Sequence, residues 1–297
     1  MTAMCLSNED LPHASLDYKL SLQPSILINM KCLLIIPAYN EAENITSVIS
    51  EIRSLHPFID IVVVDDGSSD ATSWLADRAG VKVLKLPFNL GYGAAVQTGL
   101  IYGVEYGYDL CVLIDGDGQH DPQYISDLIA PIEARHADIA LGSRFLGKAD
   151  YSIPLARRLG ILLFRQLASM ITRQQITDPT SGFQAINRRL MKFFVNDNYP
   201  HDFPDADTLI RLYFAGFKIK EVPVTIRPRL RGESMHGGGA KTLYYVYKML
   251  FSIFIALTQR RILMKGETDA FSNESHDGSS LPVSDDDDNS TSAAKTT

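Results

Sequence analysis

Lys31–Ile36 reads Lys-Cys-Leu-Leu-Ile-Ile, a nearly unbroken apolar run of strand length. With no polar residue at alternate positions, neither face of such a strand suits water, so it belongs in a sheet covered on both sides. The pattern returns at Ile59–Val64, Val81–Leu86 and Leu110–Ile114, with helix-length segments between the runs. Strands alternating with helices predict an α/β sandwich around a mainly parallel sheet. The first helix is expected from a capping box at Asn40-Glu-Ala-Glu43 to about Leu55, the second from Asp70, the third from Gly91 to Tyr106. Asp121 is expected to cap a further helix, with Pro122 at its first position, where a missing N–H does no harm.

The second half is less regular. Pro154–Thr172 reads as a long helix, Asp178–Ile186 as a loop and strand, and Asp205–Ala215 as a helix. Lys218–Ile226 alternates around Pro223, which suits an edge strand. Four zones follow: an extension over 1–29, a main domain over 30–240, an apolar helix within 241–265, and an acidic tail over 266–297. The tail is rich in Ser, Asp and Thr with little to bury, so it is expected to be disordered.

The net charge of −7 is misleading without this division. Residues 266–297 carry −7 and residues 1–29 carry −2, which leaves the body at +2. The acidity therefore says little about what the folded part binds, and no nucleic-acid partner is expected. Cys5, Cys32 and Cys111 have no metal-ligand spacing, and the last two sit in apolar runs as small hydrophobes. No apolar stretch reaches the roughly 20 residues needed to span a bilayer, and no secretory signal is evident. A reducing, cytoplasmic setting is expected.

In an open α/β sheet, ligands bind beyond the carboxyl ends of the strands. Polar residues gather at three such ends: Pro37, Tyr39 and Glu41 after the first, Asp65 and Asp66 after the second, Asp115, Asp117 and Gln119 after the fourth. Asp115-x-Asp117-x-Gln119 sets three oxygen donors on alternate residues, the donor type chosen by Mg²⁺ or Mn²⁺ beside substrate phosphates. An EF-hand is excluded, because the loop's sixth position is His120 and its twelfth is Ser126. His120 is expected to support the site rather than ligate. Gly91-Tyr-Gly93 only partly matches a dinucleotide fingerprint and follows the third strand, so its small residues are read as close helix–sheet packing, with the helix N-terminal amides available to a phosphate.

Six segments in order carry a resemblance: Ile36-Pro-Ala-Tyr-Asn-Glu41, Val63-Val-Asp-Asp-Gly-Ser-Ser-Asp70, Asn89-Leu-Gly-Tyr-Gly93, Asp115-Gly-Asp-Gly-Gln-His-Asp-Pro122, Gly142-Ser-Arg-Phe145 and Asp178-Pro-Thr-Ser-Gly-Phe183. From about Met30 to Arg231 the chain resembles family 2 glycosyltransferases, in the branch of dolichyl-phosphate mannosyltransferase and polyprenyl-phosphate sugar transferases. The resemblance implies a GT-A fold and inverting transfer from a nucleoside-diphosphate sugar. It implies that Pro37, Tyr39, Glu41, Asp65 and Asp66 line the donor pocket with Asp115. It also implies that Asp115, Asp117 and Gln119 hold a divalent cation, Mg²⁺ or Mn²⁺, on the diphosphate, with Asp117 catalytic in that sense.

On the acceptor side, Arg144 is a candidate to grip phosphate bidentately, with a surface ion pair as the plainer alternative. Arg157 and Arg158 correspond to a basic pair that helps bind acceptor phosphate in the mannosyltransferase branch. Where that branch carries a following serine, this chain has Ile161 or Leu162. Arg227, Arg229 and Arg231 alternate toward the same chemistry. A polyprenyl phosphate is already anionic and needs no base, whereas a saccharide hydroxyl requires a carboxylate. Asp205 or Asp207 could be that base, or Asp205 a helix N-cap. Leu243–Leu257 is apolar and aromatic, which suits peripheral contact with the cytoplasmic membrane face, packing on the body, or a dimer contact. A nucleotide-sugar-binding protein without catalysis and a nucleotidyltransferase are the rival classes. The intact Asp115/Asp117/Gln119 set opposes the first. The absence of a Gly-rich basic loop after the first strand opposes the second.

Overall fold

The computed structural model describes residues 30–147, 155–199, 205–228 and 239–258. The expected 1–29 extension and 266–297 tail lie outside these residues. Among the described residues, β1 (Cys32–Ala38), β2 (Asp60–Asp65), β3 (Lys82–Lys85), β4 (Leu110–Leu113), β5 (Ile139–Ser143), β6 (Gln184–Asn187) and β7 (Ile219–Pro223) form one sheet. Its order is β3-β2-β1-β4-β6-β5-β7. Neighbours run parallel except β6, which is antiparallel to both β4 and β5. This is the mainly parallel α/β architecture the sequence predicts, with β7 on the expected edge.

β1 explains the two-sided core. Leu33 and Ile35 enter one buried cluster, with α3 (Tyr92–Glu105), α5 (Leu155–Thr172) and α7 (Ala206–Phe214). Leu34 and Ile36 enter the other, with α1 (Ile45–Leu55) and α4 (Ile125–Glu133). Each fully buried Leu or Ile contributes about 1.5–3 kcal/mol, against about 0–1 for an exposed ion pair, so packing rather than charge sets the sheet. α3 lies close on β1, as its small residues predict, because a Cβ on Gly99 would run into Ile35.

The connections complete the body. α2 (Thr72–Arg78) joins β2 to β3, and α6 (Arg188–Phe193) follows β6. α8 (Gly239–Thr258) packs on α7 and buries Met249, Ile253 and Ala256.

The capping box is a correction. Helix α1 starts at Ile45, after Asn44, whose side chain makes no capping hydrogen bond. Asn40 instead takes a left-handed conformation (φ 54°), which asparagine tolerates better than most residues. Its Oδ1 accepts from the Ser69 N–H at 2.9 Å, and its own N–H donates to Ser68 Oγ at 2.9 Å. The loop after β1 is therefore tied to the loop after β2 rather than to its own helix.

Candidate active site

β2, β1 and β4 are neighbours, so their carboxyl ends bring the three acidic loops together. A Cβ added at Gly116 would lie 3.5 Å from the Pro37 carbonyl oxygen and 3.6 Å from Glu41 Cγ. The Asp115–Asp117 turn thus lies against the first loop. The Glu41 N–H donates to Thr72 Oγ1 at 2.8 Å, and the Ala42 N–H donates to Asp70 Oδ2 at 3.1 Å, which fixes that loop on the second. Tyr39 is exposed beside it.

The paired aspartates after β2 divide their work. Asp65 is fully buried; its Oδ1 accepts from the Ser68 N–H at 3.0 Å, and its Oδ2 has no hydrogen-bond partner among the described residues. A buried acceptor left so is unfavourable by about 1–3 kcal/mol until a donor arrives. Asp66 is different. Its two oxygens accept from the Leu90 and Gly91 N–H groups at 2.7 and 2.9 Å. Asp66, expected at the donor sugar-nucleotide, holds the third motif in place through these two bonds. Gly67 allows this approach, because at φ 68° a Cβ there would sit 2.5 Å from the Phe88 backbone carbon.

The fourth loop is braced on several sides. The Asp115 N–H donates to His120 Nδ1 at 3.1 Å, so the ring proton belongs on Nε2, which stands 3.7 Å from Asp115 Oδ2. Burial pulls the His120 pKa down to about 4 despite the opposing charge of Asp117. A neutral imidazole stacked on Phe183 at 4.9 Å is a support, as the sequence predicts. The Tyr92 hydroxyl donates to Asp115 Oδ1 at 3.2 Å, and its own pKa is held well above normal, first by burial and then by Asp115. Asp117 Oδ1 accepts from the Gln119 N–H at 2.9 Å. The Gln119 amide nitrogen lies 3.4 Å from the Arg227 carbonyl oxygen, so its amide oxygen is the atom a cation would use.

Among the described residues, no three His, Cys, Asp or Glu side chains form a group that could hold a metal ion unaided. Asp115 and Asp117 nevertheless suit a hard cation. The Asp115 side chain is 34% exposed, and Mg²⁺ and Mn²⁺ sites commonly combine one or two carboxylates with water and substrate phosphates. The donor set fits a cation whose coordination the substrate completes.

The acceptor-side expectations fare less evenly. Arg144 closes a two-pronged pair on Asp178, with Nε to Oδ2 and Nη2 to Oδ1 both at 2.6 Å, and Nη2 also reaches Thr180 Oγ1 at 2.8 Å. The bidentate edge expected to grip a phosphate is therefore occupied by a fully buried carboxylate. Arg227 pairs with Glu51 at 2.9 Å and Asp121 at 2.8 Å, so it is a brace rather than part of a phosphate-facing stripe. Arg157 and Arg158 fall in α5 with side chains outside the described part, and Arg229 and Arg231 lie outside it altogether. Asp205 occupies the N-cap position of α7, buried, but its side chain makes no capping hydrogen bond. Asp207 sits in the first turn, and burial raises its pKa.

Sequence reasoning gave no role to Tyr92 or Gly182. A Cβ at Gly182 would meet the Tyr92 hydroxyl at 3.2 Å and Asp115 Oδ2 at 3.5 Å. Both residues stood inside motifs already singled out; only the folded contact gives them work.

The family model for Glycosyl transferase family 2 matches residues 33–195. The chain is 32% identical over 218 residues to the polyprenol monophosphomannose synthase of Mycolicibacterium smegmatis, covering 70% of this chain and 82% of that one. It is 32% identical over 219 residues to the undecaprenyl-phosphate mannosyltransferase of Micrococcus luteus, covering 71% and 89%. Among solved structures, glucosyl-3-phosphoglycerate synthase from Mycobacterium tuberculosis, in complex with Mn²⁺, uridine diphosphate and glucosyl-3-phosphoglycerate, aligns with a TM-score of 0.56 and 20% identity. That alignment covers 80% of this chain and 81% of the other, and the shared fold is the GT-A fold expected.

Proposed function

From the premise that this chain belongs to glycosyl transferase family 2, we propose that it moves a sugar from a nucleoside-diphosphate sugar to a polyprenyl phosphate, inverting the anomeric carbon with a divalent cation bound. The observation that carries this reading is the packing of the Asp115–Gly116 turn against Pro37 and Glu41, one strand away from the Asp65 oxygen that has no partner among the described residues.

Asp65 Oδ2 is suited to accept an N–H from the nucleobase, which would satisfy a buried acceptor that no described residue satisfies. Pro37, Tyr39 and Glu41 would line the same pocket. Asp115, Asp117 and the Gln119 amide oxygen would hold Mg²⁺ or Mn²⁺, which supplies Lewis-acid neutralisation of the departing diphosphate. The fold neighbour named above carries Mn²⁺ with uridine diphosphate, which supports the assignment by analogy. In an inverting transfer an acceptor phosphate oxygen attacks the anomeric carbon opposite the diphosphate; one C–O bond forms as the other breaks. The two relatives named for polyprenol and undecaprenyl-phosphate chemistry support a lipid phosphate acceptor. Arg144 would contribute its charge on that side without a two-pronged grip, with Arg157, Arg158 and Arg231 as further acceptor residues.

A second reading, transfer to a saccharide hydroxyl, is favoured by one observation. Burial raises the pKa of Asp207, the direction that improves a general base. Asp205 is the other candidate.

No described helix is long and apolar enough to cross a membrane. Helix α8 exposes Tyr247, Phe251 and Phe254 on the face opposite its buried Met249, Ile253 and Ala256. Such a face suits peripheral docking at the cytoplasmic membrane surface, where a lipid acceptor resides.

The test is a panel of GDP-mannose, UDP-glucose and UDP-N-acetylglucosamine with Mg²⁺ or Mn²⁺, with and without polyprenyl phosphate. Sugar transfer from one donor to the lipid phosphate is the expected result. Binding of none of them would defeat the donor reading; transfer only to a saccharide hydroxyl would favour the second.

A further inference from the structure

Glu221 lies on the edge strand β7, opposite Leu141 of β5. Its carboxylate takes hold of the start of the loop 177–183: Oε1 accepts from the Asp178 N–H at 2.7 Å, both oxygens accept from the Thr177 N–H at 2.8 Å, and Oε2 accepts from the Thr177 hydroxyl at 2.8 Å. With the Thr177 proton directed to Glu221, the Ser143 hydroxyl donates to Thr177 Oγ1 at 2.5 Å. Thr177 and Asp178 are buried, so these donors have no water to turn to. Asp178, fixed through its own N–H, grips Arg144, and four residues on Gly182 lies beside Asp115, where an added Cβ would stand 3.5 Å from its Oδ2. One half-buried carboxylate at the sheet edge therefore anchors a loop that holds Arg144 and adjoins Asp115.

We infer that Glu221 is a positioning residue for sugar transfer: it sets the 177–183 loop and, through Asp178, the Arg144 guanidinium. This rests on the transferase reading above. A carboxylate suits the place because both of its oxygens only accept, whereas an amide that keeps its oxygen at Oε1 would set an NH₂ against the Thr177 N–H. Donor contacts at Pro37, Glu41 and Asp65 stand on the other half of the sheet, and of the donor residues only Asp115 adjoins the loop, so nucleotide-sugar affinity should depend on Glu221 far less than turnover does.

The experiment compares Glu221→Gln, Arg144→Lys and the double variant in full-length protein. Amide hydrogen exchange is followed at 177–183 and 33–38, and donor KM and kcat are measured with Mn²⁺ and polyprenyl phosphate. Glu221→Gln should speed exchange at Thr177 and Asp178 by about tenfold or more without changing 33–38. It should lower kcat about 10- to 100-fold, the scale of a misplacement near 1 Å, with donor KM within about threefold of wild type. In the double variant the two losses should not multiply, because both act on one guanidinium. Unchanged exchange at 177–178, kcat within about threefold of wild type, or multiplying losses would each overturn the inference. If Glu221→Gln does not fold, Thr177→Val removes one of the same contacts and is read in the same way. A wild-type protein that transfers nothing would count against the transferase reading, while the exchange result would still decide whether Glu221 holds the loop.

Discussion

The Tyr92 hydroxyl donates to Asp115 Oδ1 across 3.2 Å, which joins the start of α3 to the proposed cation-binding carboxylate. Tyr92→Phe keeps the ring and removes this donor, taking away one of the contacts that orient the Asp115 carboxylate. Groups that orient a metal ligand commonly matter by about 10- to 100-fold in metal affinity or activity. The expected outcome is a rise of about tenfold in the Mn²⁺ concentration for half-maximal turnover, with little change in thermal midpoint. A Mn²⁺ titration of wild type and variant checks it.

Gly67 should be nearly irreplaceable. At φ 68° an L side chain is strained, and its Cβ would meet backbone atoms of Phe88 and Asn89 at 2.5–2.7 Å. Backbone cannot swing aside as a side-chain tip can. Gly67→Ala should lose more than about 2 kcal/mol, a drop of several degrees in melting temperature. Urea and thermal melts test this, and an unchanged midpoint would contradict the geometry.

His120 should make stability depend on pH. Its folded pKa is about 4 against 6.5 for the free side chain. Between these values the unfolded chain binds the proton and the native one does not, so stability rises with pH across that window. The contribution is complete above about pH 6.5 and is lost as pH falls toward 4, on the order of 3 kcal/mol in full. Urea midpoints measured from pH 4 to 7 should rise less steeply in His120→Gln than in wild type. Parallel curves would refute the shift.

Helix α8 makes a separate prediction. Phe251 and Phe254 are 53% and 61% exposed, so a charge there leaves the core untouched. The double change Phe251→Asp with Phe254→Asp should abolish flotation with anionic liposomes and leave donor binding intact. Retained flotation would assign this face to another contact.

Much of this arrangement was legible before folding. Apolar runs such as Leu33–Ile36 declare buried strands, and the acids that end them, Asp65 and Asp115, declare where those strands open. What stayed hidden depends on partners distant in the chain. Arg144 meets Asp178 34 residues away, and Arg227 meets Glu51 across 176, so no local pattern could separate a phosphate ligand from a brace. Asn40 followed the spacing of a capping box, but its side chain is bonded to Ser69 from a left-handed backbone position. The reversal of β6 was also unreadable, because a short buried strand has the same composition in either direction.

The proposed function rests on Asp115 and Asp117 carrying a cation for sugar transfer. Radiolabelled-sugar transfer by wild type and Asp117→Ala, side by side with Mn²⁺ and with chelator, tests this. Wild-type transfer should be lost with chelator, and Asp117→Ala should be inactive under both conditions while keeping the wild-type circular dichroism. Full metal-dependent activity in Asp117→Ala would show that Asp117 does not hold the cation.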